Sequence, residues 1–256
     1  MRVERRDPLT PTLHAHGVVD STNDVAQRMA REGAPEGTAV TAQRQLKGRG
    51  RRGRAWLDEP GASVLMSIIL RPGTPRETHS QLSFVVSLAV AEYLRSAHGI
   101  DAMLKWPNDV LANGRKIAGI LLELEPHGGA VVVGIGVNVN QQAFPVEIAS
   151  TATSVVIETG TERDTAQAAE ELARATLSEY EAYLRSGFED IRKRWLKYMW
   201  GFGRQAEVHT EGRVITGRIV GIDRAGALVL RESSGVEHAV HAADAVNLVT
   251  DGQEAT

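Results

Sequence analysis

Hydrophobic residues recur at every second position in some stretches of this chain and at every third or fourth in others, and the switches between these periods outline its elements. Residues 12–19 read as a short strand. Asp20, Ser21, Thr22 and Asn23 then offer helix N-caps ahead of Val25, Ala26, Met29 and Ala30, and Gly33 ends that helix. Residues 38–42 read as a strand running into a Gly/Arg-rich loop, and residues 62–70 as a more buried strand. A long helix over 76–97 carries Leu82, Val85, Val86, Ala89, Val90, Tyr93 and Leu94 on its apolar side, with Gly99 just beyond it, so it should cover one face of a sheet. Residues 102–106, 110–112, 116–125 and 130–139 follow as strands, interrupted by Pro107 and by the turn pair Asn113-Gly114. Their connections are shorter than the dozen or so residues of a parallel crossover, so these strands pair antiparallel.

After Thr151 the period turns helical over 166–184 and 188–199. From Gln205 onward, short apolar runs at 206–209, 214–222, 227–230, 236–241 and 245–249 alternate with Gly-containing turns, which predicts a small β-barrel-like module with Val208, Ile215, Ile219, Ile222, Leu228, Leu230, Val240, Val246 and Leu248 in its core. The expected fold is α+β: a mixed, largely antiparallel sheet with helices over residues 1–203, then a small β module over 204–256.

Composition adds limits rather than a function. With 256 residues, 42% hydrophobic and 24% charged, the chain is an ordinary globular one, and its net charge of -3 argues against a surface that attracts nucleic acid throughout. Basic character is therefore local. The absence of cysteine excludes disulfides, thiolate catalysis and cysteine zinc sites, and fits a reducing compartment. No apolar run reaches the roughly 18 residues of a membrane span and the charged start leads into no apolar signal segment, so a cytoplasmic protein without a membrane partner is expected. His14-x-His16 and His238-x-x-His241 lack further metal-type partners and read as structural or surface features; no metal site is expected from side chains alone.

Two stretches carry chemistry. Gly48-Arg49-Gly50-Arg51-Arg52-Gly53-Arg54, with Gln45 before it and Trp56 after it, joins a pliable backbone to guanidinium groups that match carboxylate and phosphate oxygens in pairs. The second stretch is Lys105-Trp106-Pro107-Asn108-Asp109 followed by Gly114-Arg115-Lys116-Ile117-Ala118-Gly119-Ile120-Leu121. If Asn113 and Gly114 form a type I′ turn, Ala112 pairs with Arg115, Leu111 with Lys116 and Asp109 with Ala118, so Asp109 and Lys116 project from one face as diagonal neighbours. Such neighbours lie roughly 7–8 Å apart, within reach of a shared small ligand or of each other.

In this order, Asp20-Ser21-Thr22-Asn23, Gln45 with the Gly/Arg loop and Trp56, Lys105 to Asp109, Gly114 to Leu121, and Gly134-x-Gly136-x-Asn138 resemble the blocks of the biotin protein ligase family, and the resemblance covers nearly the whole chain. It implies an α+β catalytic domain and a C-terminal SH3-like barrel. It further implies that biotin and ATP give biotinyl-5′-AMP and pyrophosphate, and that a lysine of a biotin carboxyl carrier protein, as in acetyl-CoA carboxylase, then attacks the adenylate. By that resemblance Lys116, Arg51 and Asp109 are catalytic. Ser21, Thr22, Asn23, Gln45, Arg49, Gly50, Arg51, Lys116, Gly134 and Gly136 bind biotin. Arg49, Arg51, Arg54, Trp56, Asn108, Lys116 and Asn138 bind ATP or the adenylate. Mg²⁺ accompanies ATP, held mostly by phosphate oxygens. Longer family members carry an operator-binding helix-turn-helix domain. Only about a dozen residues precede the first expected strand here, so no repressor role and no specific DNA binding are expected. A homodimer is among the expectations. The residues alone leave two rivals, a nucleic-acid-binding protein using the arginine loop and a lipoate or other acyl-protein ligase. In isolation, Ser21 and Asn23 read as helix caps, Trp56 and Trp106 as core aromatics, and Lys116 as a surface lysine.

Overall fold

The computed structural model describes residues 8–125, 129–210, 212–243 and 245–249; the charged start at 1–7 lies outside them. A strand β1 (Thr12–Val19) leads into helix α1 (Thr22–Arg31), followed by strands β2 (Thr38–Gln45) and β3 (Ser63–Leu70) on either side of the arginine loop. Helix α2 (Leu82–His98) precedes β4 (Ala102–Lys105), β5 (Asp109–Ala112), β6 (Arg115–Leu124) and β7 (Val131–Asn138). Then come helices α3 (Val155–Thr159), α4 (Thr165–Ser186) and α5 (Phe188–Lys197), and strands β8 (Gln205–Thr210), β9 (Arg213–Ile222), β10 (Leu228–Arg231), β11 (Glu237–Val240) and β12 (Ala245–Leu248).

The first seven strands form one sheet in the order β1-β2-β3-β7-β6-β5-β4, antiparallel except for the parallel β1–β2 pair. The mixed, largely antiparallel α+β expectation holds. Side-chain alternation divides the two faces. Val64, Met66, Ile68 and Leu70 of β3 and Val131, Val133, Ile135 and Val137 of β7 pack under α2, α4 and α5 in the main core. Leu82, Leu88 and Leu94 of α2 are fully buried there, each contributing on the order of 1.5–3 kcal/mol. On the other face, Val40, Ile69 and Val132 meet Val25, Ala26 and Ala30 of α1. One short helix covers only part of that face. The rest, carrying Ser67, Gly134 and Gly136, is left for the arginine loop to roof.

The last five strands form an antiparallel sheet in the order β11-β10-β9-β8-β12, with Val208, Ile219, Ile222, Leu228, Leu230, Val240 and Val246 buried as expected, whereas Ile215 and Leu248 are only partly buried against that core. It is tied to the first unit by Trp106, whose buried Nε1 donates to Gly226 O at 2.9 Å.

Three expectations need correction. The helix expected over 76–97 begins as a 3-10 turn, Arg76–Gln81, opened by Pro75 and closed by Thr78 donating to Pro75 O from both its amide and its hydroxyl. The helix expected over 188–199 ends at Lys197, because Leu104 donates to Tyr198 O (2.8 Å) and receives Trp200 N–H (2.9 Å), covering the β4 edge. In the β5–β6 hairpin, Asn113 (φ 48) and Gly114 (φ 75) make the turn, and Ala112–Arg115 and Leu111–Lys116 pair as expected. Beyond them the register shifts, so Val110 faces Ala118 and Asp109 faces Gly119 rather than Ala118. Ile117 is the extra residue of a β-bulge. Asp109 and Lys116 nevertheless share a face, because the shift is on β6 only and β5 keeps its alternation.

Candidate active site

A cleft of about 360 Å³ lies on the face that α1 leaves open, lined from the α1 start, the arginine loop, β3, the β4–β6 hairpins, β7 and the C-terminal segment around Val246. Its inner end is polar. Ser21 occupies the N-cap position of α1, but its side chain makes no cap bond. Gln45 caps instead: its Oε1 accepts from Thr22 N at 2.7 Å and Thr22 Oγ1 at 3.0 Å. Ser67 Oγ lies 2.7 Å from Thr22 Oγ1 and 2.5 Å from Asn23 Oδ1. These groups are held to each other and to the sheet, a fixed pattern of donors and acceptors for a ligand that carries both.

The glycines of β6 and β7 are a matter of space. A Cβ on Gly134 would stand 2.5 Å from Asn23 Oδ1, and one on Gly136 would stand 2.6 Å from the Trp56 ring. A Cβ on Gly119 would meet Lys116 Nζ at 3.1 Å and Trp56 at 3.2 Å. Trp56 thus lies flat over two adjacent strands, and its buried Nε1 has no hydrogen-bond partner among the described residues.

The loop turns back on itself over the cleft: Gly50 donates to Arg54 O (2.7 Å), Trp56 donates to Gly48 O (2.9 Å), and Arg52 takes a left-handed conformation (φ 57). Arg51 Nη1 reaches Asn108 Oδ1 at 3.3 Å, and Asn108 Nδ2 donates to Ile120 O at 2.7 Å. Lys116 Nζ is 2.6 Å from Asp109 Oδ1 and 5.7 Å from the Trp56 ring centroid. Burial, then the neighbouring Arg52, pulls the Arg51 guanidinium below the ordinary arginine value. Burial likewise lowers Lys105, which Asp109 raises and Lys116 and Arg54 lower further. Its ammonium stands 4.7 Å from the Trp200 ring centroid. Cations crowded around one carboxylate make this end of the cleft a place for a polyanion.

Residues 16–140 match the family model of the Biotin/lipoate A/B protein ligase family, and residues 201–246 match that of the Biotin protein ligase C terminal domain. A biotin--[acetyl-CoA-carboxylase] ligase of Paracoccus denitrificans is 41% identical over 225 residues, which cover 84% of this chain and 92% of that protein. The chain belongs to the biotin protein ligase family. The bifunctional ligase/repressor BirA of Bacillus subtilis is 38% identical, covering 90% of this chain and 72% of that one. A solved structure of the biotin protein ligase from Aquifex aeolicus in complex with biotin and ATP superposes with a TM-score of 0.82 at 31% identity, covering 93% of this chain and 98% of that one. The five-stranded C-terminal sheet is the SH3-like part of this ligase fold.

Of the residues singled out from sequence, Ser21, Thr22, Asn23, Gln45, Arg49, Gly50, Arg51, Arg54, Trp56, Asn108, Asp109, Lys116, Gly134 and Gly136 all line the one cleft. Asn138 does not. It is buried and donates from Nδ2 to Thr153 O at 2.9 Å, bracing the segment that also pairs with Lys116 through Lys116 N to Thr151 O. Arg49 lines the cleft, yet its guanidinium is taken up by Asp24 and Glu123, which raise its pKa further above the ordinary arginine value. Sequence reasoning passed over three contributors. Ser67 is a buried polar residue in the middle of an otherwise apolar run from Val64 to Leu70, which was a readable signal. Lys105 opens the stretch from Lys105 to Asp109, and its residue type alone pointed to no role. Glu123 continues the Gly119, Leu121 face of β6, visible only once the bulge is known.

Proposed function

We propose that this chain is a biotin protein ligase, with residues 1–203 as its catalytic domain and 204–256 as its C-terminal domain, working in the cytoplasm. The observation that carries the reading is the convergence of Lys116 and Arg51 over a cleft whose inner end presents Thr22, Asn23, Gln45 and Ser67. Biotin's ureido group offers one carbonyl acceptor and two N–H donors, which suits that inner end; the valeryl chain then runs under Trp56 toward Lys116 and Arg51. There its carboxylate meets the ATP α-phosphate. Like charges must be neutralised before they approach, and donors aimed at the charge that develops on the α-phosphoryl oxygens serve the rate.

A carboxylate oxygen attacks the α-phosphorus, the bond from that phosphorus to the pyrophosphate oxygen breaks, and pyrophosphate leaves. In the second step a lysine amine of the biotin carboxyl carrier protein attacks the acyl carbon, AMP leaves, and the amine gives up a proton. Asp109 is placed to orient that amine or accept its proton, and it also holds Lys116 in position. No group of three or more acidic or histidine side chains among the described residues is arranged to hold a metal. The donors fit an Mg²⁺ that arrives on the polyphosphate, with Asn108 Oδ1 and Asp109 as the nearby oxygens; it would neutralise phosphate charge. Biotin-dependent pyrophosphate release followed by label transfer to a carrier domain tests the reading, with lipoate as the competing acyl substrate. Release driven by lipoate and not by biotin would overturn it.

A further inference from the structure

At the base of the arginine loop, Arg49 is held in a clamp of two carboxylates. Its Nε and Nη2 donate to Glu123 Oε1 and Oε2 at 2.9 and 3.0 Å, and its Nη1 and Nη2 donate to Asp24 at 3.1 and 2.6 Å. A guanidinium has five N–H donors, so four of them are committed here. Glu123 Oε2 also accepts from Asn23 Nδ2 at 3.0 Å and Gln27 Nε2 at 2.7 Å. Since Asn23 is in reach of Ser67, and Ser67 of Thr22, which bonds Gln45, the network starts at Arg49 and returns through the polar end of the cleft to Gln45 on the same side of the loop. The charge count is one guanidinium against two carboxylates. Arg49 therefore has no surplus charge to offer a phosphate, whereas Arg51, among the described residues, hydrogen-bonds only the uncharged Asn108 amide oxygen at 3.3 Å, with the nearby Asp109 carboxylate ion-paired to Lys116, and gains most from an anion.

We propose that Glu123, together with Asp24, is a positioning residue that fixes Arg49 as the anchor of the arginine loop behind the acyl-substrate pocket, leaving anion binding to Arg51. The loop then has two halves. Gln45 to Arg49 is fastened to α1 and β6 and shapes the pocket; Gly50 to Ala55 carries Arg51 over the phosphate end. That assigns Arg49 a different task from the ligand contact expected from sequence. The proposal rests on the ligase reading for the identity of the substrate, biotin.

A double-mutant cycle of Glu123→Gln and Arg49→Met tests it, read by KM for biotin and kcat of pyrophosphate release at saturating ATP, and by amide exchange of residues 48–56 without ligand. Each single variant is expected to raise KM for biotin about 10- to 30-fold with a smaller effect on kcat. The double variant should be no worse than about threefold beyond either single one. Loop exchange should quicken in all three while β3 and β7 keep their wild-type exchange. Asp24→Asn, at an exposed position on the first turn of α1, should shift KM the same way by a smaller factor and guards against loss of folding in the Glu123 variant. If Arg49→Met abolishes turnover while Glu123→Gln and Asp24→Asn leave KM within twofold, or if the two effects multiply in the double variant, Arg49 meets the ligand directly and the anchor is wrong. A wild-type protein with no biotin-dependent turnover would sink the ligase reading instead, and the exchange of the loop without ligand would still judge the clamp.

Discussion

Replacing Gly136 with alanine isolates the part of the site that consists only of space. Gly136 lies mid-strand on β7, paired with Leu65 and Gly119, and is absent from the positive-φ glycines, so alanine fits its backbone. The added methyl carbon would stand 2.6, 2.7 and 2.9 Å from three atoms of the Trp56 ring, closer than real Cβ contacts allow. The strand is fixed on both sides by its ladder, so the ring must move. Overpacking of this kind costs about 1–3 kcal/mol. Trp56 ends the arginine loop and is bonded through its amide to Gly48 O, so the strain is relieved by lifting the loop rather than by unfolding the sheet. Spent wholly on the closed loop, that cost corresponds to about a 5- to 140-fold loss in kcat/KM for biotin-dependent pyrophosphate release. The melting temperature should fall little. Gly17→Ala, where nothing lies within 4 Å, serves as the control and should leave both unchanged. Wild-type kcat/KM in Gly136→Ala would refute the view that Trp56 must lie against this strand for turnover.

Lys116→Ala should retain the fold and lower the rate of adenylate formation at least about 10- to 140-fold, the worth of one charge-assisted contact in the transition state; unchanged pyrophosphate release rejects that role. Asp109→Asn should slow transfer from preformed biotinyl-5′-AMP to the carrier and alter its pH profile, and a profile identical to wild type across pH removes Asp109 from the proton transfer. Lys105 gives a calorimetric test. Burial holds its ammonium below the ordinary lysine value of 10.5, so as pH rises toward that value a growing fraction is neutral before ligand binds. A polyphosphate beside it favours the charged form, so ATP binding should take up protons in this alkaline window. Heats measured in two buffers of different ionisation enthalpy should differ there for wild type, and for Lys105→Met the difference should vanish; equal heats in wild type contradict the placement of Lys105 beside the phosphates.

Most of the fold was legible because its elements are strongly periodic and its turns are marked by glycine. The Asn113-Gly114 turn and the strand of β7 read correctly from local pattern, and the residues assigned to the apolar side of α2 are all buried, although that helix buries Phe84, Leu88 and Ala91 on its other side as well. What was not legible depended on partners distant in sequence. Helix α5 stops at Lys197 because the β4 edge takes Tyr198 and Trp200, which no property of residues 188–199 announces. Within the site, the residue types gave the chemistry, but the allocation of charge needed the structure. Arg49 and Arg51 are equivalent in a Gly/Arg repeat, and only the folded chain shows one beside Asp24 and Glu123 and the other beside Asn108. Asn138 has the same lesson, since its short polar side chain serves a backbone carbonyl as readily as a ligand.

The bulge at Ile117 binds these points together. With regular alternation from the turn onward, Lys116 would share its face with Ala118, Ile120 and Leu122, and the cleft floor would be covered by side chains. One extra residue lets Ile117 and Ala118 both enter the helix-side core, so that Lys116 keeps its place beside Asp109 while Gly119, Leu121 and Glu123 rotate onto the cleft face. Trp56 then rests on a strand position without a Cβ, and Glu123 arrives where Arg49 stands. The sequence carries a sign of this, because Lys116-Ile117-Ala118-Gly119-Ile120 places two core-type residues in succession before the alternation resumes. A strand whose hydrophobic phase slips by one between a lysine and a glycine is a strand built to present both on the same side.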